Sequence, residues 1–182
     1  MSLDYAPEHG KVTGDIAVGT VLSSFGKGIN TARGAVERRL RVGGGTMPAH
    51  RSEVLLPPGA PDMLGHLDTL LDHYERSLLP SQRELVVIFT MRFPRDSALH
   101  DQWELARAFI RQHLNAERRL AVIAVQHAPG LAGFAEGKPH VHGLALARSL
   151  DGSNFGGFTP IAKAGAKLIL ANEWQAWRAA RA

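Results

Sequence analysis

Apolar positions recur along the chain with two periods, and the switches between them divide it into elements. From Lys11 to Ser24 small apolar residues (Val12, Ile16, Val18, Val21) alternate with polar ones, the period-two spacing of one or two strands. Gly26-Lys27-Gly28 reads as a loop. Thr31 to Val42 reads as a short helix with Asn30 or Thr31 as N-cap, ended by Gly43-Gly44-Gly45 as a flexible joint. Ser52 to Leu56 is a short strand closed by Pro57-Pro58-Gly59. Asp62 to Leu79 sets Met63, Leu67, Leu70, Leu71, Tyr74 and Leu78 at helical spacing, which predicts an amphipathic helix. Leu85 to Phe93 is a Val/Ile/Phe-rich run stopped by Pro94, a buried strand. A second amphipathic helix follows from Ser97 to Leu114, through Leu99, Trp103, Ala106, Phe109 and Ile110. Arg119 to His127 and Val141 to Leu150 are further strands around a glycine-containing loop, Pro129 to Pro139. Ile161 to Arg181 holds a closing helix centred on Leu168 to Trp177. Because His127 and His140 flank one loop between two apolar strands, those strands are expected to pair as an antiparallel hairpin. The fold class is α+β, a mainly antiparallel central sheet covered by helices, in one domain spanning 1–182.

Composition narrows the chemistry. With 45% hydrophobic and 21% charged residues in 182, the chain reads as a soluble globular protein with a sizeable core. It carries no apolar run of the roughly 20 residues a membrane span needs. Met1-Ser2-Leu3-Asp4 has neither a basic nor an apolar signal region, so a cytoplasmic location is expected. The absence of cysteine removes disulfides, thiolate zinc sites and cysteine nucleophiles, leaving His and carboxylates to hold any metal. Net charge is +4, and its placement matters more than its size. Between Phe25 and Ser52 lie Lys27, Arg33, Arg38, Arg39, Arg41 and Arg51 against Glu37 alone, either a solvated helix face or a phosphate-tracking surface.

Three histidines carry the sharpest signal. His140 and His142 are one residue apart on a strand, so both side chains point to one face, with Cα atoms about 7 Å apart. A hairpin closing over Pro129 to Pro139 brings His127 opposite that pair. Three neutral imidazoles on one side of a cation leave its other side open, as a substrate-binding metal requires. Competing enzyme classes fail on residues. A histidine-triad nucleotide hydrolase needs another His where Leu144 stands, and a two-histidine phosphoesterase needs two His-x-Thr/Ser copies. A cupin needs a Glu that Gly143 to Ala147 does not offer. P-loop, Gly-x-Ser-x-Gly and dinucleotide fingerprints are missing as well. The remaining histidines lack such partners, although His50 beside Arg51 could meet a phosphate.

Lys138-Pro139-His140-Val141-His142-Gly143-Leu144 resembles the Asn-Pro-His-x-His core of MobA/MobL-type plasmid mobilisation relaxases, within the His-hydrophobic-His (HUH) endonucleases. Val125-Gln126-His127 is similar to the family's strand ending in the third metal ligand. HRSEVLLPPGAP (His50 to Pro61), FTMRFPRD (Phe89 to Asp96) and the tryptophan-bearing Asn172 to Ala180 resemble flanking family elements, so the likeness covers roughly residues 31–182, with 1–30 adding N-terminal strands and a loop.

The resemblance implies a relaxase fold and a divalent metal, Mg²⁺ or Mn²⁺ with Zn²⁺ as the alternative, on His127, His140 and His142. It implies single-stranded DNA at an origin of transfer, tracked by Arg33, Arg38, Arg39, Arg41 and Arg51, with other mobilisation proteins as further partners. It also implies a tyrosine that attacks the phosphodiester and becomes joined to the 5′ phosphate. Here the sequence departs from the family. The run ARGAVERRL, 32–40, has Glu37, Arg38 and Arg39 where that tyrosine is expected. Of the two tyrosines, Tyr74 lies in a helical apolar repeat and reads as core, leaving Tyr5 as the candidate nucleophile. Glu84 is the nearest candidate for an acidic neighbour of the metal. Three readings follow: a metal-dependent nicking enzyme, a nuclease-dead DNA-binding accessory of the same fold, and a scaffold whose histidines line a cavity.

Overall fold

The strands are β1 (Lys11–Thr13), β2 (Ile16–Leu22), β3 (Ser24–Phe25), β4 (Gly28–Ile29), β5 (Arg51–Leu55), β6 (Glu84–Arg92), β7 (Val122–His127), β8 (His140–Leu146), β9 (Arg148–Asp151) and β10 (Asn154–Phe158). Six of them make the central sheet, in the order β1-β2-β6-β8-β7-β5, every neighbouring pair antiparallel. Two small hairpins stand apart, β3 with β4 and β9 with β10. The helices are α1 (Ala32–Arg39), α2 (Leu67–Arg76), α3 (Leu99–Phe109) and α4 (Lys167–Ala179). The computed structural model describes residues 11–13, 15–42, 45–94, 96–133, 137–163 and 165–181. Tyr5 and the Gly43-Gly44 part of the expected joint lie outside the described residues.

The continuous apolar runs of β6 and β7 are explained by cover on both faces of the sheet. On one face Val86, Ile88, Ile123, Val125, Leu144 and Leu146 pack with Ala32, Ala35 and Val36 of α1 and Leu70, Leu71 and Tyr74 of α2. On the other, Val87, Phe89, Met91, Val141 and Ala145 pack with Trp103, Ala106 and Phe109 of α3 and Leu170, Trp174 and Trp177 of α4. Helices thus sandwich the sheet, and β8 lies at its middle between β6 and β7. Gly143 is required there, because it pairs directly with Phe89 and any Cβ would run into that ring.

Local chemistry accounts for the element ends. Thr31 caps α1, its hydroxyl accepting from the Gly34 N–H at 2.9 Å. The helix expected from Asp62 to Leu79 is split: Asp62–Gly65 is a 3₁₀ turn, His66 is extended, and α2 begins at Leu67. Gly65 carries the break, since glycine loses the most freedom in a helix. Met63, counted with the apolar stripe, is consequently 62% exposed. α3 runs on from Phe109 into a π-helical segment, Ile110–Ala116. Its buried Asn115 amide donates to the Leu55 and Leu120 carbonyls at 3.0 and 2.8 Å, tying α3 to β5. The strand expected from Val141 to Leu150 breaks after Leu146, and β9 folds back on β10 through a turn with Gly152 at φ +55°.

Candidate metal centre

The register of the three middle strands determines which side chains meet. His127 at the end of β7 pairs with His140 at the start of β8, and His140 pairs across with Arg92 at the end of β6. One step along, His142 sits between Val125 and Thr90. Period-two alternation puts His127, His140, His142, Thr90 and Arg92 on the α1/α2 face, continuing the rows Ile123-Val125, Leu144-Leu146 and Val86-Ile88. The expected hairpin is therefore present, and its histidines converge.

Their ring centroids are 5.0, 4.9 and 4.8 Å apart, with the planes at 74 to 86° to one another. One nitrogen from each ring can be chosen so that all three lie within 4.8 Å of one another. One nitrogen of each ring already has a hydrogen-bond partner. His127 Nε2 donates to the Arg39 carbonyl at 2.6 Å, and His140 Nδ1 to the Lys138 carbonyl at 2.9 Å. His142 Nδ1 meets the Thr90 hydroxyl at 2.8 Å. A carbonyl accepts only from an N–H, so His127 keeps its lone pair on Nδ1 and His140 on Nε2. With Thr90 accepting, His142 likewise presents Nε2. Such outer hydrogen bonds fix ring orientation and tautomer at metal sites.

Protonation suits the same role. Burial pushes all three imidazoles below the ordinary value of 6.5, His142 well below it. Mutual repulsion adds to this at His140 and His142, as do the Arg92 and, for His142, Arg39 charges. Near neutral pH the three rings are therefore uncharged donors. His127 is buried, whereas His140 and His142 remain partly open to solvent, so the cluster can be reached from outside. Three neutral nitrogen donors with ordered outer partners fit a divalent transition or borderline cation.

The basic run divides in space. Arg39, in the last turn of α1, lies over the cluster through its carbonyl, and its guanidinium donates to the Ala35 carbonyl at 3.3 Å. Arg38 and Arg41 lie at the same end of that helix, Arg41 exposed and donating to the Thr46 carbonyl at 3.2 Å. Arg33 is held by Asp68 and Asp72 at 2.7 and 2.6 Å, which ties α1 to α2. Arg51 projects to the opposite face of the sheet and stacks over Trp103, 4.6 Å from the ring centre. His50 is exposed, its backbone N–H bonded to the Gln126 carbonyl at 3.0 Å.

Tyr74 is core, as its apolar repeat implies. Its hydroxyl donates to the Leu85 carbonyl at 2.8 Å and accepts from Gln82 at 2.9 Å, and burial pushes it up to about 12. Glu84 begins β6, six residues before Thr90 and about 20 Å away at the strand's rise, so it is no neighbour of the histidines. Thr90 and Arg92 escape a reading of the sequence, although their signal is there. They are the polar residues at alternate positions of an otherwise buried strand, Val86-Ile88-Thr90-Arg92.

No protein-family model matches this sequence, and no curated protein matches it. A solved structure presented as the molecular basis of vancomycin resistance transfer in Staphylococcus aureus is similar in fold. It has a TM-score of 0.63 at 22% identity, covering 89% of this chain and 87% of that one. Among the described residues no helix is long and apolar enough to cross a membrane. The chain thus has an α+β fold shared with that protein of resistance transfer, with a three-histidine cluster at one end of the central strands of its sheet.

Proposed function

We propose that this chain is a relaxase-like protein of the MobA/MobL type that grips a phosphodiester of single-stranded DNA at an origin of transfer and nicks it with the help of a divalent metal. The observation that carries the proposal is the convergence of His127, His140 and His142, with one nitrogen of each ring already hydrogen-bonded. Mg²⁺ or Mn²⁺ held there, or Zn²⁺, would supply Lewis acidity to the scissile phosphate. The shared fold with a resistance-transfer protein supports a role in transfer; plasmid mobilisation, a cytoplasmic location and other mobilisation proteins as partners belong to the same proposal.

The chain's own groups do the rest. Arg38, Arg39 and Arg41 at the end of α1 track the backbone of the strand, a salt-sensitive contribution that carries no sequence information. Arg33 and Arg51 act chiefly as structural ties, given their carboxylate and indole partners. Tyr5 is the proposed nucleophile. Its oxygen bonds to phosphorus as the bond to the 3′ oxygen breaks, the tyrosine proton leaves, and the departing oxygen takes up a proton. The experiment is incubation with Mn²⁺ and an origin-bearing oligonucleotide, read as a denaturation-resistant protein–DNA species.

A second reading has a specific observation in its favour. α1 lies over the histidines without a tyrosine, and the one described tyrosine is buried in the core. On that reading the chain is a nuclease-dead accessory that binds single-stranded DNA. DNA binding without any covalent species supports it against the first.

A further inference from the structure

We propose that Arg92 makes the histidine cluster a joint seat for a cation and a phosphodiester, so that each binds weakly alone and strongly with the other. The inference rests on the metal reading of His127, His140 and His142 and adds the thermodynamic coupling between metal and DNA.

The donor set is the first ground. Three neutral imidazoles contribute no negative charge, and among the described residues the ligand cluster contains no carboxylate. A divalent cation placed there keeps its full charge. Arg92 is the second ground. It is the register partner of His140 on the same face, half-buried, and its charge is close enough to disfavour protonation of both His140 and His142. The carboxylate next to it in the sheet is Asp15, whose backbone carbonyl accepts from the Arg92 N–H at 2.8 Å. The Asp15 side chain is turned to Arg178 of α4 instead. Among the described residues Arg92 has no carboxylate partner, so a half-buried guanidinium stands beside the cluster with its fork unneutralised.

These facts set two signs. The guanidinium repels a cation arriving alone, and the pair of positive charges attracts an anion more strongly than either does by itself. A phosphodiester oxygen shared between the cation and the planar guanidinium fork neutralises both, the geometry in which arginine binds phosphate best. Binding free energies are reciprocal, so the factor by which DNA tightens the metal equals the factor by which the metal tightens DNA. Couplings of this kind run from about 5-fold to about 150-fold.

The test uses the full chain, Mn²⁺ and a short oligothymidylate. Free Mn²⁺ is followed by its electron paramagnetic resonance signal, with and without saturating oligonucleotide. In the unaltered protein the oligonucleotide is expected to tighten Mn²⁺ by about tenfold or more, and Mn²⁺ to tighten the oligonucleotide by the same factor. Arg92→Ala is expected to bind Mn²⁺ alone more tightly, by severalfold, while the coupling falls but stays above unity, because the cation still meets the phosphate oxygen. Loss of fold cannot produce that gain. Arg92→Lys keeps the charge but not the fork, and should retain the weak binding of metal alone with an intermediate coupling. Coupling near unity in the unaltered protein, or full coupling in Arg92→Ala, overturns the proposal while leaving the metal site in place. Absence of Mn²⁺ binding under every condition overturns the metal reading itself and this proposal with it.

Discussion

The Thr90 hydroxyl lies 2.8 Å from Nδ1 of His142, the two residues being direct partners across β6 and β8. With the hydroxyl accepting, this bond holds the His142 proton on Nδ1 and leaves the Nε2 lone pair available. Its consequence is measurable. Thr90→Val keeps the side-chain shape and removes the acceptor, and it is expected to weaken Mn²⁺ binding about 10-fold to 100-fold, the range for outer partners of metal-bound histidine. Far-ultraviolet circular dichroism should be unchanged, and a Thr90→Ser variant should recover most of the affinity. Equal affinity in Thr90→Val would remove the hydroxyl from the site.

Gly143 follows His142 for a reason unconnected with metal: Phe89 occupies the space where its Cβ would be. Gly143→Ala forces the ring or the strand to move in a close-packed layer, costing about 1 to 3 kcal/mol. Thermal unfolding should fall by about 2 to 4 °C per kcal/mol for a chain of this size. An unchanged melting temperature would show that the middle of the sheet is looser than its packing suggests.

Acid should destabilise the metal-free protein. His127, His140 and His142 have folded-state values below 6.5, so as pH falls through 6.5 the unfolded chain takes up protons that the folded chain refuses. Their contribution is intact above 6.5 and is lost as pH drops toward the lowered folded values. In chelator, the urea midpoint is expected to be lower at pH 5 than at pH 7.5, with a smaller difference in His142→Gln. A midpoint that rises on acidification would contradict neutral imidazoles in the folded chain.

The two tyrosines should separate cleanly. Tyr74→Phe removes the hydroxyl's bonds to the Leu85 carbonyl and the Gln82 amide, which keep the Ala147 N–H and the Glu84 carbonyl as partners, and is expected to cost about 1 kcal/mol of stability without altering any covalent DNA adduct. Tyr5→Phe is expected to abolish the adduct. An adduct that survives Tyr5→Phe would assign the nucleophile elsewhere.

Much of this architecture is legible in the order of residues, and the parts that are not share a cause. Apolar periodicity places β6, β7, α1 and α4, because runs such as Leu85-Val86-Val87-Ile88-Phe89 allow few alternatives. The His127–His140 hairpin follows from two apolar strands flanking one loop. The β9–β10 hairpin merges with β8 in such a reading although Asp151-Gly152 is a strong turn signal, because Asn154–Phe158 is short, glycine-rich and mostly exposed. The break at Gly65 is masked by helical spacing on either side. At the site, ligand residues are legible from type and spacing, whereas Thr90 and Arg92 act through cross-strand register, which no single strand encodes. The fates of Arg33 and Arg51 are hidden for the same reason. Asp68, Asp72 and Trp103 lie far along the chain, and only tertiary structure brings them to those guanidinium groups.

On the proposed reading, three imidazoles share one divalent cation. Pulsed electron paramagnetic resonance of the Mn²⁺-loaded protein reads the bound nitrogens directly. Couplings from three imidazole nitrogens are expected in the unaltered chain at one ion per molecule, falling to two with strongly weakened loading in His140→Ala. Manganese that shows no imidazole coupling, or that loads His140→Ala as well as the unaltered chain, would contradict it.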